Sequence, residues 1–292
     1  MTDITVLDGG MGQELVHRAG DKPTPLWSTQ VMIDHPGLVE DVHRDFTAAG
    51  ATVATTNTYS IHRDRLAGTG MEAQFEQLHH MALNEVRASG ATRIGGSIGP
   101  LVASYRADVM PGHAIAVAKF AEVAAILGPH VDMIQCETVV SIAQTRALME
   151  GVAVAGKPVW VAFSVSDLDG TKLRSGEALA DAVAAAKGAA AVLVNCSAPE
   201  AIPAALDILA TSGVPYGAYP NGFEQITEAF LQDKPTVDAL NMRRDFTPDL
   251  FADHAMTWVA HGATIIGGCC EVSPAHIAEI TRRLKAAGHT IV

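Results

Sequence analysis

Hydrophobic positions along the chain fall into two recurring patterns. The first is a short, apolar, β-branched run of the kind that forms a strand buried on both faces. Eight such runs predict strands: Thr5–Asp8, Thr52–Asn57, Ile94–Ser97, Met133–Glu137, Val159–Ser164, Ala191–Cys196, Tyr216–Tyr219 and Thr264–Gly267. The second is a longer, Ala-rich stretch with apolar residues three and four apart. Pro36–Ala49 places Leu38, Val42 and Phe46 on one helical face. Met71–Ala88, Ala114–Leu127, Ile142–Val154, Ala178–Lys187, Pro199–Thr211 and Asp249–His261 read in the same way. Pro274–Ala287 begins with Ser273 as N-cap and Pro274 at the first helical position.

Strands alternating with helices predict an α/β protein with a parallel sheet. Eight such units match a (β/α)8 TIM barrel, formed as one domain over residues 1–292. A doubly wound open sheet is the competing arrangement. The strand count favours the barrel, and no linker-like segment divides the chain. Two polar stretches, Gly99–Gly112 and Asn221–Thr247, look like long loops at the carboxyl ends of strands. Barrels build their active sites from such loops.

Composition narrows the function. Among 292 residues, 48% are hydrophobic and 18% charged, which describes a folded globular chain. Lys plus Arg number 20 against 32 Asp plus Glu, a formal charge of −12. That balance argues against nucleic acid or an anionic membrane surface as partner. No basic segment precedes an apolar one at the amino terminus, and no run is long enough to span a membrane. A cytoplasmic location is therefore expected. In such a reducing setting, clustered cysteines more often serve metals or catalysis than disulfides.

The predicted strand ends carry the chemistry. They present Asp8, Asn57, Ser97, Glu137, Ser164, Cys196, Tyr219 and the pair Cys269-Cys270. Three of the four cysteines thus fall at two strand ends separated by a single strand. Three converging thiolates without a fourth protein ligand describe an open zinc site; three ordinary buried cysteines are the alternative. Cys136 neighbours Glu137 and should point the opposite way, into the helix layer. A carboxylate on an apolar strand, such as Glu137, either grips a substrate ammonium, supports a metal ligand, or pairs with a nearby Arg. Asp8 has similar options, or caps the turn through Gly9-Gly10.

Other matches are weaker. Gly95-Gly96-Ser97-Ile98-Gly99 fits a serine-hydrolase elbow, but Pro100 and a polar loop follow where a helix is required. Gly10-Met11-Gly12 lacks the last glycine of a dinucleotide fingerprint. The histidines show no ligand spacing and read as surface or satisfied structural residues.

The segments Leu7-Asp8-Gly9-Gly10-Met11-Gly12, Thr56-Asn57-Thr58-Tyr59, Val194-Asn195-Cys196, Tyr219-Pro220-Asn221-Gly222 and Ile266-Gly267-Gly268-Cys269-Cys270 together carry a resemblance to the homocysteine S-methyltransferase family. It extends over almost the whole chain. The resemblance implies a zinc-dependent barrel with Cys196, Cys269 and Cys270 as ligands of Zn2+. It also implies that Asp8, the Gly9-Gly10 backbone and Glu137 hold the amino-acid end of homocysteine. Trp27 matches an aromatic of the donor site in betaine-using members, and Asn57 and Tyr219 are expected among the substrate-binding residues. Those members carry aromatics where this chain has Thr138 and Ser60, so a full cage for a quaternary ammonium is not expected. Glu271, directly after the cysteine pair, is also unusual beside the family pattern.

The expected reaction is transfer of a methyl group from a small sulfonium or other onium donor, such as S-methylmethionine, to homocysteine, giving methionine. The alternatives are betaine or a separate corrinoid protein as donor, a zinc-barrel hydrolase or lyase, and a non-catalytic thiol-sensing zinc barrel.

Overall fold

The computed structural model describes residues 2–22, 24–232 and 236–292. Residues 233–235 of the predicted loop Asn221–Thr247 lie outside the described residues.

The chain alternates strands and helices as expected. The strands are β1 (Asp3–Val6), β2 (Ala54–Thr55), β3 (Ile94–Ile98), β4 (Met133–Val139), β5 (Val159–Phe163), β6 (Ala191–Asn195), β7 (Tyr216–Tyr219), β8 (Ile265–Ile266) and β9 (Thr290–Ile291). They form one curled sheet in the order β2-β3-β4-β5-β6-β7-β8-β1-β9. Every ladder is parallel. Among the described residues β1 and β2 share no ladder, but a parallel bridge joins Leu7 to Val53, and Thr52 N donates to Val6 O at 2.7 Å. The doubly wound alternative is excluded, because neighbouring strands follow chain order around the curl.

The helices are α1 (Met11–Ala19), α2 (Ser28–Asp34), α3 (Leu38–Ala49), α4 (Arg63–Leu66), α5 (Phe75–Ala88), α6 (His113–Leu127), α7 (Ile142–Val152), α8 (Leu179–Ala185), α9 (Ile202–Leu209), α10 (Pro248–Ala260) and α11 (Pro274–Ala286). The start of α11 matches its sequence signal: Ser273 is the N-cap, Pro274 follows, and Ser273 N donates to His276 Nδ1 at 3.1 Å. Among the described residues, no helix is long and apolar enough to cross a membrane.

Alternation along the strands sorts side chains into two layers. Met133, Trp160, Ala162, Ala191, Leu193 and Ile265 pack together inside the curl. Ile134, Cys136, Val161, Phe163, Val192 and Val194 pack outward against the helices. Period-two geometry therefore puts Gln135 and Glu137 inside and confirms that Cys136 faces the helix layer. The interior is closed at one end by apolar side chains and left polar at the carboxyl ends of the strands. One histidine is neither at the surface nor satisfied. His43 of α3 is fully buried, and neither ring nitrogen has a partner among the described residues. Burial lowers its pKa to about 3, so it is a neutral core residue.

Candidate active site

A cavity of about 690 Å³ opens at the carboxyl ends of the strands. Asp8, Gly9, Gly10, Trp27, Asn57, Glu137, Cys196, Tyr219, Cys269 and Cys270 all line it. Residues predicted as site members from positions 8 to 270 are thus brought to one chamber.

The sulfurs meet where the ends of β6 and β8 face each other. Cys196 and Cys269 stand as a disulfide, with their Cα atoms 5.8 Å apart. Cys270 Sγ lies 4.0 Å from Cys269 Sγ. With two of the three thiols paired to each other, the described residues contain no assembled metal-binding group. Backbone contacts hold the pair segment in place: Gly268 N donates to Asp8 O at 3.0 Å, and Cys269 N to Pro220 O at 2.8 Å. Gly10 lies against the same segment. A Cβ there would sit 2.5 Å from Cys269 O, a distance that demands glycine. Burial, with Glu271 beside it, pushes the Cys270 thiol up to about 12.

Two carboxylates occupy the inner wall. Asp8 Oδ2 accepts from Thr55 N at 2.6 Å, and Oδ1 from Thr55 Oγ1 at 2.7 Å. Asp8 therefore reaches across to β2 and does not cap the turn that follows it. Burial outweighs these bonds and pushes its pKa up to about 7, with the charge of Glu137 adding to the rise. Glu137 accepts from Ser97 Oγ, and the Tyr219 hydroxyl also supports its charged form. Burial is the larger effect and raises its pKa. No Lys or Arg pairs with Glu137 among the described residues, which removes the structural ion pair as its role. Ser97 is this carboxylate's donor and sits before no helix, so the hydrolase elbow is not formed.

The outer wall is aromatic. Trp27 packs edge-on against Tyr59 with ring centroids 6.1 Å apart. Tyr105 and Phe230 form a second edge-on pair at 5.8 Å. Asn57 Nδ2 donates to Ser28 O at 3.2 Å and so anchors the segment that carries Trp27. Trp27 Nε1 donates to Gln13 Oε1 at 2.9 Å, and Gln13 Nε2 donates to Glu271 Oε1 at 2.6 Å. Gln13, Tyr105 and Phe230 were not read from sequence. The two tyrosine- and phenylalanine-bearing loops were, so an aromatic on either loop was the available signal.

Among the described residues, six non-glycine residues have positive φ: Trp27, Val102, Tyr105, Thr138, Cys196 and Glu271. Each lines this cavity or adjoins a residue that does. Backbone held in a sparsely populated region clusters where the surrounding structure has a functional geometry to maintain.

A curled parallel sheet with buried carboxylates, sulfurs and an aromatic wall at its carboxyl-end mouth defines an α/β enzyme acting on a small molecule. The family model for homocysteine S-methyltransferase matches residues 5–284. A homocysteine S-methyltransferase of Escherichia coli is 30% identical, over 96% of this chain and 95% of its own length. A selenocysteine Se-methyltransferase of Brassica oleracea is 25% identical, over 96% of this chain and 88% of its own. Among solved structures, the homocysteine methyltransferase MmuM of E. coli in a metallated form superposes with a TM-score of 0.80 at 28% identity, covering 97% and 96% of the two chains. An oxidized form of the same protein gives 0.81 at 29% identity, with the same coverage. This chain belongs to the homocysteine S-methyltransferase family, and its activity is methyl transfer to homocysteine.

Proposed function

We propose that the enzyme moves a methyl group from a small sulfonium or related onium donor, of which S-methylmethionine is the type, to the sulfur of homocysteine, giving methionine. On this reading the whole chain is one homocysteine-binding domain, a (β/α)8 barrel; the isolated bridge between Leu7 and Val53, just outside the first and second strands, supports it. The observation that carries the reading is the gathering of three cysteine sulfurs, two buried carboxylates and an aromatic wall around one cavity.

The donor set fits zinc. Three soft sulfur donors at the rim of an open chamber, with no fourth protein ligand among them, match an open zinc site once the Cys196–Cys269 pair is reduced. Cys196, Cys269 and Cys270 would hold the ion. When bound, it supplies the Lewis acidity that converts a thiol, with an ordinary pKa near about 8.5, into a nucleophilic thiolate.

The remaining work falls to the chain's own groups. Glu137 and Asp8 accept hydrogen bonds from the homocysteine ammonium, which returns to both carboxylates the stabilisation lost on burial. The Gly9-Gly10 turn lets the substrate backbone approach closely. Tyr219 and Ser97 fix Glu137, and Asn57 fixes the Trp27 segment. Trp27, Tyr59 and Tyr105 exclude water and offer π faces to the cationic donor. Fixing the thiolate against the donor methyl in this way can lower the barrier by several kcal/mol through orientation alone.

The test is a panel of methyl donors offered with homocysteine to the reduced, zinc-supplemented protein, with products read by proton NMR. Methionine forming from sulfonium donors supports the proposal. Methionine forming only from betaine, or only with a methylated corrinoid protein, overturns the donor class.

A further inference from the structure

The cavity has a second polar pole that the reaction described above does not use. The first pole is acidic, at Asp8 and Glu137. The second is basic and lies against Tyr59 of the Trp27–Tyr59 pair, on α4 and the loop after β3. Its centre is Arg65, which lines the cavity. The guanidinium lies over the Tyr59 ring, 5.6 Å from its centroid. Trp27 packs against the cluster that holds Cys270, Tyr59 against Trp27 and Arg65 against Tyr59, so the three form a contiguous row.

Arg65 is held rigidly but is not neutralised. Its Nε and Nη2 donate to Pro100 O at 3.2 and 3.1 Å, and Nη2 also to Ser104 Oγ at 3.0 Å. Ser104 Oγ in turn bonds the Tyr59 hydroxyl at 2.8 Å. Nη1 has no hydrogen-bond partner among the described residues. The adjacent carboxylate, Asp64, pairs with Lys119 and contributes to the field at Arg65. Arg63 is committed to Glu122, and the neighbouring His62 is kept neutral by burial. Arg106, also on the cavity wall, is bound to Asp108. The local sum is one uncompensated positive charge on a largely desolvated, pre-oriented fork. A guanidinium with an unused edge facing a substrate chamber is a receptor for a carboxylate.

We propose that Arg65 binds the carboxylate of the methyl donor and is the residue that makes this enzyme discriminate the free acid of a sulfonium donor from its neutral ester or amide. This rests on the sulfonium reading given above. The donor then spans the row: its carboxylate at Arg65 and its sulfonium against the Trp27 and Tyr59 rings, with the reactive methyl toward the sulfurs. The homocysteine thiolate pair forms the new S–CH3 bond. The donor C–S bond breaks, its electron pair stays on the donor sulfur, and that product leaves as a neutral sulfide. Fixing both ends of the donor is what aims one methyl at the nucleophile.

The experiment compares S-methylmethionine with its methyl ester and its carboxamide on the wild-type, zinc-loaded enzyme at fixed homocysteine. The expected result is a donor KM on the order of 10- to 100-fold higher for the ester and amide, the range for losing a charge-assisted contact. Arg65→Met should raise KM for S-methylmethionine to the level of the ester, change the ester little, and leave homocysteine KM within about twofold. Arg65→Lys should fall between. Equal use of acid and ester overturns the assignment of Arg65, as does a rise in homocysteine KM in Arg65→Met. Absence of turnover with every sulfonium overturns instead the reading beneath it. The wild-type comparison decides the matter even if the Arg65 variants do not fold.

Discussion

Gln13 Nε2 donates to Glu271 Oε1 at 2.6 Å, tying the first helix of the chain to the residue that directly follows the Cys269-Cys270 pair. The same Gln13 amide accepts from the Trp27 indole. Glu271 is 5% exposed through its side chain, and its other oxygen lies 3.8 Å from His17. Gly12 lies directly beneath the Trp27 ring, with no room for a Cβ. An acidic residue beside three cysteines adds unfavourable charge; here it has a compensating role, because it orients the amide that sets the indole. Trp27 is thereby coupled to the cysteine segment.

Glu271→Ala should release Gln13 and loosen Trp27. The expected outcome is a donor KM raised on the order of 10-fold, the scale of one lost hydrogen bond to a charged group, with homocysteine KM little changed. Glu271→Gln keeps an acceptor for Gln13 and should restore donor KM. Acrylamide quenching gives an independent check, since Trp258 and Trp160 are buried and Trp27 is half-buried. Quenching should rise in the alanine variant and not in the glutamine variant. If the two variants behave alike, the charge and not the bond is what matters.

Removing Glu137 should separate substrate binding from metal binding. Glu137→Ala leaves the homocysteine ammonium without a buried carboxylate, so homocysteine KM should rise by about two orders of magnitude, as for a broken buried charge pair. Bound zinc should fall far less, since Glu137 accepts from Ser97 and not from a cysteine. Parallel titrations of homocysteine and zinc measure both. Equal losses would place Glu137 in support of the metal.

Asp8 makes the fold sensitive to pH. An unfolded Asp titrates near 3.8, whereas the folded group titrates at about 7. Between these values the folded state binds the extra proton, so stability is fullest below pH 3.8 and declines as pH rises through 7. At about 1.4 kcal/mol per pH unit, the loss amounts to a few kcal/mol above neutrality. Asp8→Asn mimics the protonated acid: its carbonyl can accept from Thr55 N while its amide donates to Thr55 Oγ1. Urea unfolding should find this variant more stable than wild type at pH 8 and about equal at pH 4. A variant destabilised at both values would show that the charged form is the one the fold favours.

Much of this arrangement could be read from residue pattern, and the misses have physical reasons. Period-two alternation was enough to place Glu137 inward and Cys136 outward. Buried strands announce themselves by apolar runs, so all eight inner strands were found. The two-residue β9 and the four-residue α4 are too short to carry a period, and α1 begins in a glycine-rich turn that obscures its apolar face. Long-range side-chain bonds leave no such trace. Nothing local links Gln13 to Glu271 across 258 positions, or shows that the Arg65 guanidinium forms hydrogen bonds to Pro100 and Ser104 but no salt bridge among the described residues. The pairing of Cys196 with Cys269 was likewise unanticipated, since the pattern pointed to three equivalent thiols.

Metal content decides whether Cys196, Cys269 and Cys270 hold zinc. The protein should be purified anaerobically under reducing conditions with zinc supplied, dialysed, and measured by atomic emission beside Cys269→Ala. Close to one zinc per chain is expected in the wild type and little in the variant. A wild-type protein that folds, keeps its thiols reduced and retains no zinc would show that the three cysteines do not form a zinc site.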